Sequence, residues 1–69
     1  MSPTSFAAWV EHYTNCPDIR AVFLAVKAQG KIAVKFARGD RETWISLNEQ
    51  LANEDNARLF AGVVLSRLA

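Results

Sequence analysis

Residues 31–37 alternate without a break: Lys31, Ala33, Lys35 and Ala37 fall on one side, Ile32, Val34 and Phe36 on the other. Successive side chains of a strand point to opposite faces, so this period of two predicts a strand with one packed face and one open face. One-sided burial is a habit of antiparallel sheets. Before it, residues 19–26 are rich in β-branched, aromatic and small side chains, and Ala28, Gln29 and Gly30 give a turn signal between the two runs. Arg38, Gly39 and Asp40 make a second tight turn, and residues 42–47 a third strand. An antiparallel meander is expected.

Helices are expected on both sides of the meander. Ser2 and Pro3 read as an N-cap followed by proline at the first helical position. Phe6, Trp9, Val10 and Tyr13 recur at i, i+3, i+4, i+7, and the Asn15, Cys16, Pro17, Asp18 cluster ends that helix after two to three turns. Residues 48–53 are polar and turn-like around Leu51, and Asn53 is placed to cap a second helix with Glu54 and Asp55 in its first turn. Leu59, Phe60, Val63, Val64 and Leu68 supply its apolar face. The fold class is α+β, in the order α-β-β-β-α, with a three-stranded antiparallel sheet and both helices packed on one face.

The 69 residues, 51% of them hydrophobic, read as a single domain over 1–69. Ordering such a chain costs on the order of 100 kcal/mol, which burial in a small core only just offsets. A three-stranded sheet also has two edges, and residues 22–26 carry no charge to protect one of them. Association is therefore expected, either with a second copy as a homodimer or with a partner chain. One cysteine, Cys16, excludes an internal disulfide, and no Cys/His cluster offers a zinc site, so no metal or cofactor is expected. The chain contains no long apolar run and no basic-then-apolar leader, which reads as soluble and cytoplasmic. No phosphate loop, paired-carboxylate cleft or nucleophile–base set appears. His12 and Cys16 stand alone, and the chain reads as non-enzymatic.

Charge placement says more than the net +1. Arg20, Lys27, Lys31, Lys35, Arg38 and Arg41 are opposed between residues 20 and 41 only by Asp40, a local net of +5. The rest holds Arg58 and Arg67 against Glu11, Asp18, Glu42, Glu49, Glu54 and Asp55, a net of −4. With Val22, Leu24 and Val26 turned inward on the first strand, Ala21, Phe23, Ala25 and Lys27 face out. With Thr43, Ile45 and Leu47 inward on the third, Glu42, Trp44 and Ser46 face out. The open face then carries lysines separated by alanines, with Phe23 and Trp44 among them and Arg20, Arg38 and Arg41 at the margins. Cations supply the sequence-independent part of RNA binding, short side chains admit a phosphate backbone, and aromatic rings stack bases. The six basic residues are the candidate RNA-binding set.

The aromatic first helix with Phe6, Trp9 and Tyr13, then Pro17 and Arg20, leads into a hairpin of Arg20, Ala21, Val22, Phe23 and Leu24, then Lys27, Gly30, Lys31, Ile32, Ala33, Val34 and Lys35. This order resembles the nine-kilodalton protein family of the signal recognition particle's Alu domain. There too a basic residue opens an apolar first strand, a glycine makes the turn, and a Val-Lys pair sits in the second strand. The resemblance implies a heterodimer with the related fourteen-kilodalton subunit, binding of folded Alu-type RNA in a ribonucleoprotein, and slowed elongation during protein targeting. Ala25 departs from the family, which tends to carry lysine there, as does the acidic link before the last helix.

Two other readings use the same topology. Ala57, Ala61, Gly62 and Leu65 look like the last helix of a double-stranded-RNA-binding domain. That family starts this helix with lysines, whereas here the stretch is Asn53, Glu54, Asp55 and Asn56, whose negative charge would repel phosphates. The other reading is a small protein-binding module, a phage-type inhibitor or adaptor, that dimerises or docks through its sheet. Salt separates it from RNA binding, which weakens steeply as salt rises.

Overall fold

The computed structural model describes residues 3–69, so the expected cap at Ser2 lies outside the described residues. Helix α1 spans Pro3–Thr14, strands β1, β2 and β3 span Ile19–Lys27, Lys31–Arg38 and Arg41–Asn48, and helix α2 spans Glu54–Arg67. The sheet is antiparallel in the order β1-β2-β3. The fold is α+β with the element order α-β-β-β-α.

Each boundary has a local cause. Asn15, at φ 54°, ends α1 in the left-handed region, which asparagine tolerates better than most residues. Asn53 caps α2 by accepting the Asn56 amide at 3.0 Å, with Glu54 and Asp55 in the following turn complementing the helix dipole. Gly39, at φ 62°, takes the first central position of the two-residue loop between Arg38 and Arg41. A side chain there would be strained.

Phe6 and Val10 of α1, Ile32, Val34 and Phe36 of β2, Ile45 and Leu47 of β3, and Ala57, Ala61 and Val64 of α2 with Leu68 at its C-cap form one core. Both helices thus cover one sheet face. The rings of Phe6 and Phe60 meet edge to face at 5.9 Å, where α1 and α2 pack together.

Two expectations are corrected. On α2 the buried stripe is Ala57, Ala61 and Val64, continued by Leu68 at its C-cap, while Leu59 is 71% exposed and Val63 also faces out. Small Ala57 and Ala61, with Ala7 on α1, allow close helix approach, and a pattern weighted by side-chain bulk passes over them. On β1 a bulge falls between Ala21 and Phe23: Ala21 pairs with Phe36, Phe23 with Lys35, and Val22 has no partner. The extra residue reverses the parity upstream of it. Ala21 therefore packs against the core, and Val22, expected inside, is 50% exposed. Val26 has the expected parity, opposite the buried Ile32, but on the edge strand it is left 69% exposed.

Candidate nucleic-acid interface

The register places four rows of side chains on the face away from the helices. They are Lys27, Lys31 and Asn48; then Ala25, Ala33 and Ser46; then Phe23, Lys35 and Trp44; then Arg20, Ala37 and Glu42. Except for Arg20 and Asn48 this is the face expected from the alternation. Ala21 is missing from it because the bulge turned that residue over.

The middle of the face is aromatic. Phe23 and Trp44 stand on the two outer strands, yet their rings meet edge to face at 5.9 Å across β2. Ala33 is left 2% exposed although it faces away from the core. Alanines were expected to leave the backbone open to a phosphate chain; here the central one is itself nearly buried. What remains open is a hollow of about 360 Å³ lined by Ala25, Lys27, Ala33, Trp44 and Ser46.

The six basic candidates divide. Arg20, Lys27, Lys31 and Lys35 share the open face. Arg38 and Arg41 pair across the β2–β3 turn with the parity of Phe36 and Thr43, on the helix side, where they line a separate hollow with Leu68 and Ala69. A count of residues back from Ala37 across Gly39 shows this parity, which charge clustering along the chain conceals.

Local electrostatics divide them again. Lys35 sits 3.4 Å from Glu42 with its ammonium 5.7 Å from the centre of the Trp44 ring. Arg20 lies 3.7 Å from Glu11. Arg38 donates to Asp18 at 2.7 Å, and this hydrogen bond holds the Asp18 carboxyl below its ordinary value and raises the guanidinium's. On the open face, Lys27 and Lys31 are the cations without an ion pair among the described residues. They stand directly opposite each other, and like charges so placed destabilise a sheet. An anion placed between them relieves that repulsion.

The strand edges hold the residues that sequence reasoning missed. Glu11 accepts the Ala21 amide at 2.6 Å, and Arg67 donates to the Trp44 carbonyl at 3.0 Å. Each helix thus places one charged side chain on an outer strand. No pattern in the sequence announces such contacts between residues 10 and 23 positions apart.

Among the described residues no group of three His, Cys, Asp or Glu side chains is placed to hold a metal, and no helix is long and apolar enough to cross a membrane. Compared with known proteins, the chain matches no family model, no curated protein and no solved structure.

Proposed function

We propose that this protein is an RNA-binding module that holds its ligand on the open sheet face. The observation that carries the reading is the juxtaposition of Lys27 and Lys31, a cross-strand pair of unneutralised cations, with the exposed Phe23–Trp44 pair beyond the Ala25 and Ala33 row. Phosphates bind at the lysine end, and an unpaired base stacks on the rings or enters the hollow beside Trp44. Stacking on an aromatic side chain contributes about 1–3 kcal/mol per base, and each phosphate contact makes binding salt-dependent. The resemblance to the Alu-domain family implies the same class of ligand, a folded RNA. Lys35 is secondary in this arrangement, since Glu42 already neutralises it. Arg38 and Arg41 stand on the other side of the sheet and leave the contact set.

The test is an RNA titration at several salt concentrations with the parent, with Lys27→Ala/Lys31→Ala and with Trp44→Ala. The double lysine variant is expected to weaken binding for every sequence and to flatten the log–log salt slope by about two units. Trp44→Ala is expected to weaken binding about tenfold or more with little change in slope. A folded double variant that binds like the parent, with the same slope, overturns the RNA reading in favour of the protein-binding module, whose own support is the exposure of Val22 and Val26.

A further inference from the structure

Both edges of the sheet carry outward backbone groups, and which residues offer them follows from the direction of those groups along each strand. Along an antiparallel strand, residues alternately turn both their N–H and C=O toward one neighbour and then toward the other. The Trp44 carbonyl bonds Arg67, so Trp44 turns its groups away from β2. Its partner Lys35 therefore turns toward β1 and bonds Phe23. Continuing the alternation, Leu24 and Val26 direct their N–H and C=O out of the sheet, while Ala25 directs its own toward Ala33. Upstream, the outward amide of Ala21 is taken by Glu11, and the bulge at Val22 interrupts the strand. The free edge of β1 is thus a short template whose outward pairs are Leu24 and Val26.

We propose that this edge pairs with the same edge of a second copy of the chain, antiparallel about a two-fold axis at Ala25. Among the symmetric registers, this one matches Leu24 with Val26 of the second copy and Val26 with its Leu24, which satisfies four outward backbone groups on each copy with four hydrogen bonds. A two-fold at Leu24 sets Val26 against the bulge, and a two-fold at Val26 sets Leu24 against Ala28 in the turn, so each satisfies only one such pair. Charge agrees with the choice. Lys27 comes opposite Phe23 of the second copy on the open face, so no two cations meet across the new pairing, and Arg20 falls outside it. On the helix side, Leu24 and the 69%-exposed Val26 cover each other beside a hollow of about 250 Å³ that Thr4, Ala7, Val22 and Leu24 help to line. The proposal goes beyond RNA binding and needs no RNA.

The experiment is a cysteine scan in a Cys16→Ala background, with Leu24→Cys, Ala25→Cys and Val26→Cys made singly, oxidised without RNA and read by mass. Opposed non-hydrogen-bonded residues have Cα atoms about 4.5 Å apart, within disulfide reach, whereas positions offset by two are too far. Ala25→Cys is expected to cross-link to a dimer and the other two to remain largely monomeric. Sedimentation of the parent is expected to show a mass twice the 7.7 kDa of one chain, falling to one chain on dilution. Val26→Pro removes an amide that faces solvent in the single chain, a place where an edge strand tolerates proline. It is expected to keep the circular dichroism of the parent and to weaken dimerisation about tenfold or more. Cross-linking strongest at residue 24 or 26 overturns the register. A parent that stays at one chain mass at every concentration overturns the second copy as occupant and leaves the edge to a strand of another protein. Neither result bears on the salt dependence of RNA binding, so the two readings fail separately.

Discussion

Lys35 shows how its surroundings, more than residue type, set what a cation does at this surface. Its ammonium lies between Glu42 and the Trp44 ring, so an incoming phosphate has to displace a carboxylate. Removing that carboxylate with Glu42→Gln is expected to raise RNA affinity and to steepen the salt slope by up to about one unit, read in the same titrations. The Asp18–Arg38 pair gives a pH signature instead. The Asp18 carboxyl is depressed in the folded chain, so its contribution is present above its unfolded value near 3.8 and is lost as pH falls below it. Denaturant unfolding of the parent and of Asp18→Asn is expected to differ at pH 6, and the difference to shrink as pH falls below 3.8. At the start of α2, Asn53→Ala leaves the Asn56 amide without its acceptor and is expected to cost about 1 kcal/mol in the same assay.

At the scale of the element, β1 is the strand whose behaviour departs most from its composition. Its apolar run predicts burial of Val22, Leu24 and Val26, and the bulge removes Val22 from that set while bringing Ala21 in. The consequence is measurable. Val22→Ser is expected to change stability by less than about 0.5 kcal/mol, as surface substitutions do, whereas Ala21→Glu sets a carboxylate against the core and is expected to cost about 2 kcal/mol or more. Chemical denaturation of the two variants side by side checks both; a large loss at Val22 with none at Ala21 would restore the unbulged register. Strands β2 and β3 need no such correction, because residue for residue from Lys31–Asn48 to Arg38–Arg41 their pairing is continuous.

At the scale of the whole molecule, the sheet edges determine whether association closes or propagates. Joining two chains along β1 leaves one β3 edge at each end of the enlarged sheet, and Arg67 occupies the Trp44 carbonyl there. Free edges at both ends are templates for open-ended assembly. Arg67→Ala is therefore expected to convert a closed dimer into larger species, seen as a rising mass with concentration in sedimentation or light scattering. An unchanged dimer mass would show that the side chain is not what blocks that edge.

The order of elements, the turns, the cap at Asn53 and the inward set of β2 and β3 were all legible in the sequence, because each depends on neighbours a few residues away: a period of two, a glycine at a tight loop, an asparagine three residues before an orphan amide. Most of the open face was legible for the same reason, since one unbroken alternation in β2 fixes the sides of β3 and of β1 from Phe23 onward. Tertiary structure decided the rest. The bulge at Val22 depends on how β1 meets β2, the exposure of Leu59 on how the two helices pack, and the Phe23–Trp44 ring contact on two strands that are not neighbours. The separation of Arg38 and Arg41 from the lysines, and the capping of the edges by Glu11 and Arg67, likewise join groups that are far apart in the chain. The sequence carries the alternation within each strand, but contacts between distant residues decide where that alternation breaks and which charges are neutralised.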